Sequence, residues 1–296
     1  MTADERPCVH LVDATFELFR AYFSHPSLRA PDGREVGAVR GVMMTLAFLL
    51  RDEGATHVAC ATDHVVRSFR NDLFAGYKTE EGVDPALLDQ FPIVERAMRA
   101  MGLVVWPMVE LEADDGLASG AARFADAARQ VILATPDKDL AQCVRGDHVV
   151  MVDRMRKKTL DEDGVRAKFG VSPASIPDWL ALVGDDSDGY PGLPGWGARS
   201  AATVVDAHGT IEAIPDDPTD WKARPRGADK LAATLRERRD EALLYKKLAT
   251  LRLDAPIRET LDDLRWRGPT DDLPRLCAEL GIQGVRERLP GQDRRA

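Results

Sequence analysis

The sequence predicts an α/β protein, in which a mainly parallel sheet is flanked by helices and followed by a smaller helical region. In about the first 160 residues, short apolar runs without polar alternation are separated by helical segments, as in parallel strands covered on both faces. Farther along, the strand signal fades, and apolar residues recur at helical spacing between Pro and Gly turns. We therefore divide the chain into residues 1–165 and 166–296.

The first region alternates strands and helices along the chain. Its apolar runs predict strands at 8–12, 57–62, 103–106, 131–134 and 148–152. Segments with helical periodicity lie at 36–51, 85–101 and 114–128. The second region shows only helical segments, at 172–183, 198–207, 228–239 and 241–251.

Composition narrows the class of protein. Hydrophobic residues make up 44% and charged residues 30% of the chain, as in ordinary globular proteins. The four cysteines are far apart and form no CxxC pair, so neither a zinc site nor a disulfide framework is indicated. The longest apolar run, 41–50, is shorter than the ~18 residues of a membrane-spanning helix. We expect no membrane association and a cytoplasmic location.

The net charge of −9 argues at first against a nucleic-acid partner, because such proteins usually carry a basic surface. Carboxylates gathered into one metal site would account for much of that negative charge, and the bound cations would offset part of it. The net charge therefore does not exclude DNA.

Carboxylates follow the predicted strand ends. Asp13 and Asp63 end the first two strands, and Asp137 and Asp139 follow the fourth. The carboxyl ends of parallel strands lie at one sheet edge, so we expect these acids to converge. The helix after the third strand opens with three more acids: Glu112, Asp114 and Asp115.

A convergence of unpaired carboxylates requires cations, because each pair repels by about 4 kcal/mol at 4 Å for an effective dielectric constant near 20. Oxygen ligands without nearby His or Cys favour Mg²⁺ or Mn²⁺ over zinc. Two such ions would activate water and stabilise the leaving oxygen of a phosphodiester. Taken singly, each acid could instead be a helix cap or a turn residue.

The stretch GDDSDGYPGLPGWGARSA begins at Gly184 and combines acids with bare backbone. Asp185 and Asp188 are close enough in sequence to serve one ion. The turn GLPGWG then precedes a helix that begins at Ala198, and backbone N–H groups at such a terminus form an anion site suited to a DNA phosphate. The alternative is a tight connection between two helices. The turn contains three glycines: Gly192, Gly195 and Gly197.

These motifs resemble one family. Six motifs occur in the order and spacing of the bacterial and phage 5′-3′ exonuclease and flap endonuclease family, over roughly residues 8–285. They are LVDATFELFRAYF, SFR, GYK, LEADD, TPDKDL and the GDDSD-to-glycine block. The same module is the N-terminal 5′ nuclease of bacterial DNA polymerase I. The resemblance implies a PIN-like catalytic domain with an arch or clamp at about 65–100. It also implies a helical DNA-binding domain of the helix-hairpin-helix (helix-3-turn-helix) type, with its glycine hairpin at 192–197.

The resemblance also implies roles for single residues. It implies that Glu112, Asp114, Asp115 and Asp137 surround a first ion, that Asp139, Asp185 and Asp188 surround a second, and that Asp13 and Asp63 hold metal-bound water. It implies three catalytic cations, Lys78, Arg70 and Arg20. DNA contacts are implied for Arg67, Tyr77, Arg199, Ser200, Gly192, Gly195 and Gly197, with K⁺ as a further candidate ion at the hairpin.

Three positions depart from the family pattern. Glu81 stands where members usually have arginine, Val65 where they often have lysine, and Gly189 where they often have asparagine. Fewer cations should weaken the electrostatic capture of a 5′ strand. The resemblance therefore supports cleavage of phosphodiesters more strongly than it supports a preference for flap substrates.

The leading hypothesis is a two-metal 5′ nuclease of DNA replication and repair. It would be a nucleoid-associated monomer that acts on DNA with single-strand to duplex junctions. One alternative is a phosphatase of the haloacid dehalogenase type, which needs an acid two residues after Asp13, where this chain has Thr15. The other is a junction-binding protein with a silent site, which the complete set of acids disfavours.

Overall fold

The computed structural model describes residues 6–291. This part of the chain forms six strands, β1 (Cys8–Asp13), β2 (His57–Asp63), β3 (Val104–Met108), β4 (Gln130–Ala134), β5 (Val149–Asp153) and β6 (Lys158–Leu160). Its helices are α1 (Ala14–Ser24), α2 (Gly37–Arg51), α3 (Phe69–Leu73), α4 (Pro85–Leu88), α5 (Phe91–Ala100), α6 (Ala113–Phe124), α7 (Glu162–Phe169), α8 (Ile176–Val183), α9 (Ala198–His208), α10 (Ala228–Glu237), α11 (Arg239–Ala249) and α12 (Leu273–Leu280). No helix within 6–291 combines the length and the apolar character that crossing a bilayer requires.

The chain divides into two compact units, and neither is continuous in sequence. The first contains the described parts of 1–66, 80–135 and 253–296, and the second contains 67–79 and 136–252. This division reflects which residues pack together, and it does not test the domain boundary predicted near residue 165. That boundary stays a prediction.

The first unit is built on four parallel strands in the order β3-β2-β1-β4. The register pairs Asp13 with Ala61 and Asp63 with Met108, so β1 and β2 end at the same edge. Helix α6 packs on these strands, and α2 packs against α1 and α5. The parallel sheet with flanking helices predicted from the sequence is confirmed.

One predicted helix, 85–101, is two helices, because α4 ends at Leu88 and α5 begins at Phe91. Pro92 lies in the first turn of α5, where its missing N–H costs nothing, whereas inside one long helix it would remove a hydrogen bond. Gln90 fills the break: its side chain donates to the Ala86 carbonyl and accepts the N–H groups of Ala38 and Val39. Helices α1, α3, α7 and α12 were not among the segments predicted from the sequence.

In the second unit, β5 pairs antiparallel with β6, and Met151 lies opposite Leu160. Strand β6 was not predicted from the sequence, although an antiparallel pair agrees with a sheet that is only mainly parallel. The four residues 154–157 are enough for a hairpin but far too few for the crossover that a parallel pair requires.

Helices α8 and α11 form the centre of the second unit. Asp178, 2% exposed on α8, accepts the N–H of Ile211 at 2.8 Å and pairs with Lys246 of α11, also at 2.8 Å. Trp179, on the same helix, donates its indole N–H to the carbonyl of Ala198 at 3.1 Å. These buried polar contacts fix where α9 and α11 lie against α8.

After α8, the chain makes a loop that is closed at its base by two glycines. Gly184 has φ +90° and Gly192 has φ +67°. A Cβ on Gly184 would lie 2.5 Å from the carbonyl carbon of Pro191, and one on Gly192 would lie 2.4 Å from the nitrogen of Gly184. Inside the loop, Asp185 and Tyr190 exchange backbone hydrogen bonds at 2.8 and 3.2 Å. Only glycine fits at the crossing.

We predict that Gly192→Ala lowers the free energy of unfolding by more than about 2 kcal/mol, because a Cβ is strained at this φ and collides with backbone atoms. Urea denaturation measures the effect. Gly197→Ala is the matched control: φ is −114° there and a Cβ would meet nothing within 4 Å, so we expect a loss below about 1 kcal/mol. Equal losses in the two variants would contradict this account of the loop.

Candidate metal centre

Three buried carboxylates come together in the second unit. One oxygen each of Asp139, Asp185 and Asp188 lies within 4.8 Å of the other two. The side chains belong to residues that are only 6%, 5% and 8% exposed. Asp139 lies in the short 3-10 helix Lys138–Cys143, and Asp185 and Asp188 come from the glycine-closed loop. The sequence prediction grouped these three acids, and the structure brings them together.

The cluster carries more negative charge than its neighbours neutralise. Burial, together with Asp137, Asp188 and Asp185, raises the pKa of Asp139 well above its ordinary value. Lys138 pairs with Asp185, and Lys78 pairs with Asp188 at 2.9 Å. Among residues 6–291, Asp139 Oδ1 has no hydrogen-bond partner. Three buried carboxylates, one with an unpaired oxygen, fit a hard divalent cation such as Mg²⁺ or Mn²⁺.

Sequence reasoning named Lys78 but missed Lys138. The signal was present in TPDKDL, where this lysine is flanked by Asp137 and Asp139. The pKa of Lys138 is raised by Asp185, Asp139 and Asp137, in opposition to burial, which lowers it. The lysine is therefore charged within the acidic cluster.

The segment 68–78 is folded so that Lys78 reaches the cluster. Ser68 and Asn71 cap α3 reciprocally, and Asn71 donates its side-chain amide to the Lys78 carbonyl at 2.9 Å. The Lys78 N–H donates to the Asp188 carbonyl at 3.0 Å. A Cβ on Gly189, which has φ +83°, would lie 2.2 Å from the Gly76 carbonyl oxygen. The departure from asparagine at this position is thus matched by close packing of the backbone.

Arg70 is 1% exposed and lies within the second unit. Its Nε donates to the Leu248 carbonyl at 2.8 Å, and Nη2 lies 3.3 Å from the Thr250 carbonyl. Tyr77 is 3% exposed, whereas Arg67 is exposed. The roles predicted for these residues at phosphate and DNA stay predictions.

In the first unit, the predicted acids lie at the carboxyl edge of the sheet and at the start of α6. Asp13 accepts the N–H of Phe16 at 2.8 Å and the hydroxyl of Thr135 at 2.9 Å. Asp63 accepts the N–H of Ala113 at 2.6 Å, which holds the end of β2 against the start of α6. The phosphatase alternative would need an acid at Thr15, whose hydroxyl instead accepts the N–H of Asp63 at 2.8 Å.

The first turn of α6 supplies the other carboxylates of this unit. Asp115, fully buried, accepts the N–H of Glu112 at 3.0 Å, and Glu112 is 3% exposed. Asp114 is partly buried in the same turn. Helix N-termini stabilise negative charge, so this turn tolerates a density of acids that other backbone would not.

Arg20, on α1, is held by neighbours in the first unit. It forms an ion pair with Glu17 and lies with Nη2 3.0 Å from the hydroxyl of Thr45. Its catalytic role stays a prediction.

The glycine turn 192–197 leads directly into α9, as predicted. Gly195 has φ +83°, which favours glycine. The Ser200 hydroxyl accepts the Gly197 N–H at 3.1 Å and donates to the Gly197 carbonyl at 2.9 Å, while Arg199 is exposed beside it. The turn is therefore ordered by Ser200, and contact with DNA or K⁺ stays a prediction.

Comparison with protein families settles the relationship of the chain. The family model of the 5′-3′ exonuclease N-terminal resolvase-like domain matches residues 8–170, and that of the 5′-3′ exonuclease C-terminal SAM fold matches 171–272. The chain belongs to the 5′-3′ exonuclease family. The helical SAM fold agrees with the smaller helical region predicted from the sequence.

Its curated relatives in this 5′-3′ exonuclease family include DNA polymerases I. The chain is 34% identical over 286 residues to that of Bacillus caldotenax and 34% identical over 306 residues to that of Pseudomonas aeruginosa. Each alignment covers 94% of this chain but 32% of the relative. The exonuclease-family chain thus spans about a third of the length of these polymerases.

Solved structures show the same fold. Bacteriophage T5 flap endonuclease, in a pseudo-enzyme-product complex with DNA and metal ions, is 17% identical with a TM-score of 0.67, over 91% of this chain and 98% of that one. The catalytic core of Rad2 with a DNA substrate is 13% identical with a TM-score of 0.62, over 97% of this chain and 91% of that one.

We predict that metal-free Asp139→Asn is more stable than the wild type at pH 8, by about 1–3 kcal/mol, because it removes a charge that burial and three neighbouring acids disfavour. The raised pKa of Asp139 means that its contribution to stability is present at acidic pH and is lost as the pH rises through that pKa. The advantage of the variant should therefore shrink toward pH 4.

Thermal denaturation with and without Mg²⁺ checks this prediction. Mg²⁺ should raise the melting temperature of the wild type and of Asp186→Asn, a control at an exposed position in the same loop, by more than that of Asp139→Asn. An unchanged response to Mg²⁺ in Asp139→Asn would contradict the assignment of this carboxylate to a metal site.

Proposed function

We propose that this protein is a divalent-metal-dependent 5′ nuclease that hydrolyses DNA phosphodiesters at or near 5′ ends and at single-strand to duplex junctions. The main support is the cluster of Asp139, Asp185 and Asp188, buried with lysine counterions in a chain that both family models match. Exonuclease and flap-cutting activity would share this chemistry.

Asp139, Asp185 and Asp188 are the proposed ligands of one ion. For the other ion the proposed ligands are Glu112, Asp114 and Asp115, with Asp13 and Asp63 holding metal-bound water, and the assignment of Asp137 to that ion stays a prediction. When bound, two divalent ions supply an activated water and stabilise the leaving oxygen of the phosphodiester. All proposed ligands are oxygens, which supports Mg²⁺ or Mn²⁺, with K⁺ proposed at the glycine turn.

The chain's own cations have separate proposed tasks. Lys78 is the best placed to contact the reacting phosphate, because its ammonium pairs with Asp188 while its side chain remains 29% exposed. Lys138 lies against Asp185 and balances charge within the cluster. Arg70 and Arg20 complete the proposed cationic set, Arg70 by holding the segment that carries Lys78. Positive charge near the phosphate stabilises the negative charge that develops during displacement.

The glycine turn and the start of α9 are the proposed phosphate-binding element of the DNA partner. Backbone N–H groups at a helix N-terminus bind phosphate without reading sequence, and the exposed Arg199 adds a charge. Arg67 and Tyr77 are proposed contacts to the single strand. The polymerase I relatives support a role in DNA replication and repair, and we propose a cytoplasmic, nucleoid-associated monomer.

We predict that the purified protein cuts a 5′-labelled flap substrate in Mg²⁺ or Mn²⁺. Loss of one metal ligand removes several kcal/mol of transition-state stabilisation, so Asp185→Asn should cut at least about a hundredfold more slowly. Asp186→Asn, one residue away and exposed, should cut at the wild-type rate. The proposal fails if the wild type does not cleave in either metal, or if Asp185→Asn cleaves as fast as Asp186→Asn.

DNA binding can be separated from cleavage by replacing Mg²⁺ with Ca²⁺. We predict that Arg199→Ala weakens junction binding uniformly across sequences and lowers the slope of log affinity against log salt by about 1, because one phosphate contact is lost. Arg267→Ala removes an exposed arginine that is paired with Asp262 at 2.7 Å, and it should leave both quantities unchanged. Fluorescence anisotropy at several salt concentrations measures them.

A further inference from the structure

Tyr190 is a buried polar residue that neither the motifs nor the proposed mechanism explain. Its side chain is fully buried, and within the described chain its hydroxyl has no hydrogen-bond partner. A buried hydroxyl without a partner costs about 1–3 kcal/mol, which is a reason to look for the group that it serves.

The backbone places Tyr190 beside the acidic cluster. It exchanges two backbone hydrogen bonds with Asp185 and follows Asp188 by two residues in the same glycine-closed loop. Burial raises the pKa of the Tyr190 hydroxyl, and the negative charges of Asp139, Asp188 and Asp185 raise it further. The hydroxyl is therefore within the electrostatic influence of all three carboxylates.

The ring of Tyr190 is held in place by aromatic packing. It stacks on Tyr245 of α11 with centroids 5.6 Å apart and an interplanar angle of 24°. Tyr245 in turn meets Phe74 edge to face at 5.7 Å. This packing limits the positions that the Tyr190 hydroxyl can take.

A second buried atom lacks a partner in the same region. Asp139 Oδ1 is an acceptor with no hydrogen bond among residues 6–291, and the Tyr190 hydroxyl is a donor with none. A carboxylate that binds a metal ion through one oxygen still needs a donor for the other. The two atoms supply complementary halves of one hydrogen bond.

We propose that Tyr190 is a positioning residue of the metal centre, whose hydroxyl donates to the Asp139 carboxylate when that carboxylate holds a divalent ion. The inference rests on the proposed function only in assigning Asp139 to a metal site. In the metal-bound state the hydroxyl is the donor, and the ion keeps Asp139 ionised as the acceptor.

Tyr190→Phe tests the proposal, because it removes the hydroxyl and keeps the stacked ring. Mn²⁺ binding is measured without DNA by the electron paramagnetic resonance signal of the unbound ion, and the sites followed are those that Asp185→Asn abolishes. Loss of a group that orients a ligand lowers metal affinity about 10–100-fold, so we expect a loss of at least tenfold.

Tyr245→Phe is the matched control. It removes a hydroxyl from the other ring of the stack, and the charged groups that act on that hydroxyl are Glu241 and Arg238 rather than the cluster. It should bind Mn²⁺ like the wild type. Metal-free Tyr190→Phe should be at least as stable to urea as the wild type, since it loses a buried hydroxyl without a partner.

Wild-type Mn²⁺ affinity in Tyr190→Phe would overturn the proposal, because the hydroxyl would then make no contribution to metal binding. An equal loss of affinity in Tyr245→Phe would also overturn it, because the effect would then come from aromatic packing. If the wild type binds Mn²⁺ but does not cut DNA, the proposed nuclease function fails while the result for Tyr190 still stands.

Discussion

The second unit depends on holding three carboxylates together in its interior. At about 4 Å, two like charges repel by about 4 kcal/mol for an effective dielectric constant near 20, and Asp139, Asp185 and Asp188 lie within 4.8 Å of one another. Two lysines offset part of this repulsion, and Asp139 responds with a raised pKa. Without a cation among them, these buried acids lower the stability of the second unit.

Backbone geometry is what makes this proximity possible. The loop that carries Asp185 and Asp188 crosses itself at Gly184 and Gly192, where no side chain fits. Gly189 lets the segment with Lys78 approach in the same way. The acidic and basic side chains give the site its charge, and the glycines allow the close backbone approach that brings those side chains together.

Much of the framework could be predicted from the sequence. The four strands of the first unit lie within two residues of their predicted bounds, because buried parallel strands leave short apolar runs that local pattern detects. The carboxylates at the sheet edge were predicted to converge because Asp13 and Asp63 each end a strand. The break at Gln90 and the hairpin to β6 were missed, since a single proline and a short hairpin change the structure without changing hydrophobic periodicity.

The site was predicted less completely than the sheet. Grouping Asp139 with Asp185 and Asp188 needed the family resemblance, because 46 residues separate the first two. Lys138 was missed although acids flank it on both sides, and no pattern in the sequence singled out Tyr190. Whether a buried hydroxyl has a partner is a property of three-dimensional packing, which no spacing in the sequence reports.

Arg70 bears on how the chain reaches this structure. Its guanidinium meets the Leu248 carbonyl across 178 residues of sequence. Closing so large a loop carries an entropy cost that contacts between near neighbours in sequence avoid. Residues 136–252 contain α11, but the arginine that meets the end of this helix comes from the separate segment 67–79. A fragment limited to residues 136–252 would therefore lack part of the packing that closes the second unit.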